Sequence, residues 1–184
     1  SAMMLAVSMM FLRFMILILI FSTSIFLNIY PYLLIMSATA AGIGIFIHKK
    51  HTIKGEREVI EETETESNPL EFKVALIFAL LFVVFTFLTH YTLVYAGTGG
   101  LSILSIATGL SDITPFILNL LQGGNIPATI VGACIMQAII SNIVVNMFYA
   151  IFFSSRRKEI LPYVWKGFLT VIGINAVLLL IYYF

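Results

Sequence analysis

The sequence predicts an all-α integral membrane protein of about five transmembrane helices plus a re-entrant broken-helix hairpin, built as a single membrane domain over residues 1–184. Three observations lead there. Of the 184 residues, 60% are hydrophobic and only 10% charged, too apolar for a soluble globule. The charges are segregated: five basic and seven acidic residues lie between Lys49 and Lys73, and Arg156, Arg157, Lys158 and Glu159 form a second cluster. What remains consists of apolar runs close to the roughly 20 residues that a helix needs to cross the hydrocarbon core. The near balance of ten basic and nine acidic residues argues against a nucleic-acid partner, and a lone Cys134 excludes a disulfide scaffold. The lipid bilayer is the expected partner.

Taken in order, the spans are expected at residues 4–27, 32–47, 72–95, 127–153 and 161–183. The second is short, with Tyr30 and Tyr32 at one end and His48 to Lys50 at the other as interfacial anchors. Pro31 and Pro162 are expected at helix starts, where the missing N–H of proline has no intrahelical role. The charged segment at 49–70 reads as a solvated cytoplasmic loop. Its Glu-rich run lacks the Asp-x-Asp and glycine pattern of a calcium loop, which leaves a solvating linker or a weak divalent-cation sensor.

Residues 97–125 are apolar but interrupted by glycine at both ends and by Gly109 to Asp112 in the middle. Each half has about ten apolar residues, or about 15 Å of helix, so neither half spans alone. A single kinked span and a re-entrant hairpin both fit that length. Charge asymmetry favours the hairpin: with both basic clusters in the cytoplasm, the segment between the third and fourth spans crosses zero or two times. The N-terminus is then cytoplasmic in a bacterial inner membrane, and the C-terminus external. Ser111, Asp112 or Thr114 can cap the half-helix that Pro115 opens, and half-helix ends held inside a bundle are where transporters bind ions and small anions. Capping alone also accounts for these residues.

A gapless match aligns Pro31, Tyr32, Thr39, Gly42 and Ile43 with Pro162, Tyr163, Thr170, Gly173 and Ile174, and upstream of a two-residue gap Ser8 faces Ser141 and Arg13 faces Asn146. With the topology above, the two copies run in opposite directions, as an inverted-topology repeat.

Candidate site residues are the polar groups inside apolar runs. Arg13 lies about ten residues into the first span, where it either meets Asp112, the sole carboxylate outside the charged clusters, or snorkels to the cytoplasmic interface. Gln137, Ser141, Asn142 and Asn146 form two stripes on one helix, which line a path or glue helices together. The ion-pathway set is therefore Arg13, Gly109, Ser111, Asp112, Thr114, Gln137, Asn142 and Asn146. His90 and Tyr91 fit a gate or a headgroup anchor. Ala38 with Gly42, Ala40 with Gly44, and Ala128 with Gly132 mark close helix packing. No zinc spacing, P-loop or activated nucleophile occurs, so neither an enzyme nor a cofactor is expected.

Three passages, NPLEFKVALIFALLF from Asn68, GLSDITPFILNL from Gly109 and MLAVSMMFLR ending at Arg13, resemble the uncharacterised bacterial membrane domain usually found C-terminal to an MgtC/SapB-type domain. Gly109, Leu110 and Asp112 match that family's loop motif, while Thr114 stands where a second Asp is usual and Asn146 where a basic residue is usual. The resemblance implies ion handling, with magnesium as the favoured ion, and a chain that begins inside a longer pattern. A homodimer is expected for so small a unit. Two functions stand: a transporter or channel for a small ion, and a non-transporting regulatory or interaction protein.

Overall fold

The computed structural model describes residues 2–51, 69–123, 126–153 and 161–183. The charged loop expected at 49–70 lies outside the described residues over 52–68, as do Asn125 and the whole Arg156 to Glu159 cluster. Among the described residues the regular structure is all α-helix: α1 (Ala2–Phe21), α2 (Thr23–His51), α3 (Pro69–Thr108), α4 (Thr114–Gln122), α5 (Ala128–Phe153) and α6 (Leu161–Tyr183). Four of them, α2, α3, α5 and α6, are long and apolar enough to cross a membrane. The apolar run of α1, Leu5–Phe21, is shorter, although the 20 residues of α1 extend about 30 Å.

The first two helices correct the expected boundaries. The chain turns at Ser22, not near Pro31, and α2 begins at Thr23. The cap chemistry decides this: Ser22 Oγ accepts the Ile25 N–H at 3.4 Å, while the Ser22 N–H still bonds to Ile18 O. Pro31 therefore lies inside α2, and Tyr30 and Tyr32 are not at its end. Starting at Thr23 gives α2 29 residues, which removes the apparent shortness of the second span. The two helices run antiparallel. Ser8 Oγ donates to Ser37 O at 3.1 Å and Ser37 Oγ donates to Ser8 O at 3.4 Å, so two hydroxyls stitch the pair amid buried Phe11, Phe14, Leu33 and Met36.

α3 is two arms joined at Gly97, whose φ of 60° and ψ of −152° are open only to glycine. The second arm, residues 98–108, folds back beside the first: a Cβ placed on Gly100 would come within 2.9 Å of Thr92 Cγ2, eight residues upstream. In a straight helix those positions are about 12 Å apart along the axis. The second arm then runs parallel to α5, with Ser102 opposite Gln137 and Ile106 opposite Ser141. After the turn at 109–113, α4 returns alongside the first arm, with Phe85 against Phe116 and Thr86 bonded to Asn119. α6 is antiparallel to α5, its Tyr182 lying on Gly132 and edge-on to Tyr32 of α2.

Of the small-residue pairs, Ala40 and Gly44 are buried and Gly132 receives Tyr182, as close packing requires. Ala38 and Gly42 are exposed, and a Cβ at Gly42 would touch nothing, so that pair packs no helix in the single chain.

Candidate functional site

The second arm of α3 and α4 are joined by a turn, residues 109–113, that lies at the half-height of two neighbours. Thr114, the residue after it, bonds to Arg13 of α1, 8 residues from Phe21 and 11 from Ala2, and the turn meets α5 at Ser141 and Asn142, near the middle of that helix. The approach to α5 is close because position 109 is glycine: a Cβ there would meet the Ser141 side chain and come within 2.7 Å of the Asn142 backbone nitrogen. Gly109 is buried.

The turn finishes most of its own polar groups. At the end of the second arm, the Gly109, Leu110 and Ser111 N–H groups bond to Ile106, Ala107 and Thr108 carbonyls, and Ser111 Oγ adds a bond to Thr108 O at 3.2 Å. Thr108 Oγ1 donates to Ser105 O at 2.8 Å. From α5, Ser141 Oγ donates to Ile106 O at 2.6 Å and Asn142 Nδ2 to Gly109 O at 3.3 Å. These carbonyls lie at the end of the helix, where α-helical i+4 donors run out, and in an apolar surround they take donors from α5.

At the start of α4, Asp112 Oδ1 accepts both the Thr114 N–H at 3.0 Å and the Thr114 hydroxyl at 2.7 Å. Asp112 thus satisfies the first N–H of the helix from one position upstream of its N-cap, Ile113, and Pro115 follows in the first turn. Arg13 Nη2 donates to the same Thr114 Oγ1 at 2.8 Å. The cation and the carboxylate are joined through one hydroxyl. Arg13 also stacks over Phe14, its guanidinium carbon 5.1 Å from the ring centre.

Of the residues singled out in the sequence, Arg13, Gly109, Ser111, Asp112, Thr114 and Asn142 come together on or against this turn. Asn146 joins through Asn142, donating to its Oδ1 at 3.1 Å, and lines a cavity of about 150 Å³ with Ala6, Val7, Met10 and Phe168. Gln137 is apart. It accepts from Ser102 Oγ at 2.6 Å and donates to the Tyr183 hydroxyl at 3.2 Å, beside a cavity of about 480 Å³ lined by Thr98, Ser102, Thr129, Cys134 and Tyr183 on the other side of the turn.

Sequence reasoning passed over a third polar group. Thr86 Oγ1 accepts from Asn119 Nδ2 at 2.6 Å, and with Thr89, His90 and Gln122 these residues line a cavity of about 380 Å³ between α3 and α4. Thr89 Oγ1 is buried without a hydrogen-bond partner among the described residues. The available signal was spacing, since Thr86 and His90 share a helix face and Asn119 interrupts an apolar half-helix. His90 packs edge-on to Tyr91, at 6.2 Å between ring centres. No group of three or more His, Cys, Asp or Glu able to hold a metal ion occurs among the described residues.

Apolar helices of spanning length around a broken helix define the class: a multi-pass, all-helical membrane protein. Residues 1–154 match the family described as "Domain of unknown function (DUF4010)", and the chain belongs to that family. The match ends before α6. An "Uncharacterized protein" of Aquifex aeolicus (strain VF5) is 25% identical over 153 residues, covering 82% of this chain and 63% of the relative, so the chain spans less than two thirds of that protein's length. No solved structure matches the chain.

Proposed function

We propose that this protein is a non-enzymatic transporter or channel for a small ion in the bacterial inner membrane, with its N-terminus in the cytoplasm and the 109–114 turn as its ion-binding element. One observation carries the reading: the turn between two half-helices meets α1 and α5 at half-height and gathers Arg13, Asp112, Thr114 and Asn142 there. In this reading residues 97–125 form a re-entrant hairpin, entering and leaving on the outer side. The parallel run of the second arm with α5, and the return of α4 beside the first arm of α3, support that path. The Asn146 cavity and the Thr98 cavity then approach the turn from the inner and outer faces.

Half-helix ends serve ions because their free backbone dipoles act at full strength where water is scarce. Here a cation is offered Asp112, and an anion is offered the α4 N-terminus with Arg13. The preference for magnesium, and an association with an MgtC/SapB-type domain, come from the family resemblance and belong to the same proposal. The inverted repeat belongs to the proposal too, with its matched prolines differently placed, Pro31 inside α2 and Pro162 in the first turn of α6.

Flux of magnesium and of chloride into proteoliposomes tests this. The Asp112→Asn protein is expected to lose about tenfold or more of the wild-type flux, the equivalent of one charge-assisted hydrogen bond of about 1.5 to 3 kcal/mol. Unchanged flux removes Asp112 from the mechanism. No flux of either ion through the wild type moves the reading to a non-transporting regulator. The path of the hairpin is checked separately with single cysteines at Gly99, Asn125 and Ser155 in a Cys134→Ser background. Impermeant reagent is expected to reach positions 99 and 125 from outside and 155 from inside.

A further inference from the structure

At the half-height of the bundle the protein surface carries two charges that hydrocarbon does not accept. Arg13 and Asp112 are both exposed, and Ser111 beside them is exposed too. The surface around them is apolar: Leu110 at the turn is 73% exposed, and Met9 and Ile16, flanking Arg13 on α1, are 66% and 60% exposed. Within its own chain Arg13 makes one hydrogen bond, to Thr114, which leaves most of its guanidinium donors without a partner among the described residues. Asp112 turns one oxygen to Thr114 and leaves the other unbonded among the described residues.

Charges inside a bilayer persist where they are paired, covered or wet. This patch holds both signs, joined through one hydroxyl, within an apolar border. A surface of that kind is complementary to itself under a twofold axis, because residue i meets the partner's residue j while j meets the partner's i. A partner presenting one sign would satisfy one charge and oppose the other.

We propose that a second copy of this chain seats on this face, related by a twofold axis, so that Arg13 of each protomer pairs with the partner's Asp112. Leu110, Met9 and Ile16 form the apolar border of the contact. The ion site is then completed by the dimer: each turn is closed by the partner's Arg13 as well as its own. This rests on the reading that the turn lies within the bilayer.

Two differently tagged variants, Arg13→Asp and Asp112→Arg, are expressed alone and together in membranes, and association is read by pull-down and crosslinking. Alone, each variant opposes like charges at both contacts, and self-association is expected to weaken by about tenfold or more. Together, every contact between copies regains opposite signs, while within each chain the two positions still carry the same sign. Recovery of a mixed dimer therefore requires contact between copies. Variants that each self-associate like the wild type, or that fail to form the mixed dimer, overturn the proposal.

A third protein keeps the native charges. Leu110→Cys in a Cys134→Ser background is expected to crosslink to a dimer with a short bismaleimide in native membranes, whereas Phe72→Cys is not. Monomer alone at Leu110 overturns the contact between copies, whether the patch faces a water-filled cavity or another protein. Failure of the underlying membrane reading looks different. In that case Leu110→Cys reacts with impermeant reagent as fast as a loop cysteine, whatever its crosslinking.

Discussion

α5 and the first arm of α3 are both long apolar helices, yet 50% of the membrane-length window of α5 is buried in the chain and only 11% of that of α3. The difference is not set by hydrophobicity, since α3 is the more apolar of the two and the less buried. It follows the polar residues: Gln137, Ser141, Asn142 and Asn146 each make a hydrogen bond that holds α5 to α3 or orders its own surface, whereas the first arm of α3 is tied to α4 by Thr86 with Asn119 and by the Phe85–Phe116 contact. In lipid an apolar side chain gains no hydrophobic free energy by moving from tails to protein, so packing is directed by close approach and hydrogen bonds. The helix richer in small and polar groups becomes the centre, and the plain one stays outside.

That contrast can be broken at graded strength. The largest effect is expected from Gly109→Val, which forces a side chain into Ser141 and the backbone of Asn142 and separates the turn from α5. A loss of about 3 kcal/mol is expected. Cys134, buried in α5, reports it: a thiol-reactive dye in detergent should reach this cysteine at a markedly lower temperature than in the wild type.

A smaller effect is expected from Asn119→Leu, which removes the polar tether of the first arm. Thr86 keeps its bond to Phe82 O at 2.8 Å and is not orphaned, so the loss should be about 1 kcal/mol, read by the same dye assay. The smallest is Leu80→Ala, on the exposed face of α3, where less than about 0.5 kcal/mol is expected. A loss of about 2 kcal/mol there would reverse the comparison, because it would mean that this face is packed against protein and not lipid.

Much of this organisation was legible in the chain itself. The third, fourth and fifth expected spans correspond to the first arm of α3, to α5 and to α6 within a few residues, and the interrupted segment at 97–125 contains both half-helices. The Ser22 corner was not legible. Pro31 with its neighbouring tyrosines imitates a helix start, while Ser22 is a single polar residue between two apolar runs, and only the capping bond it makes distinguishes it. Seven of the eight candidate residues gather on or next to the turn, and Gln137 does not, because a side chain about two and a half turns from Asn146 along α5 reaches a different neighbour.

By itself the sequence determined the membrane class, the extents of the third, fourth and fifth expected spans, and the interruption at 97–125. Those are local consequences of composition: about 20 apolar residues span a bilayer, a ten-residue half-helix does not, and clustered charge stays in water. The tertiary structure alone decided which polar groups meet and which apolar faces stay uncovered. Arg13 reaches Thr114 across 101 positions of sequence: residue type made Asp112 one of two expected ends for Arg13, but only the fold places the Thr114 hydroxyl between them. Lipid and protein interior treat apolar side chains alike, so hydropathy carries no record of which face of α3 would be left outside.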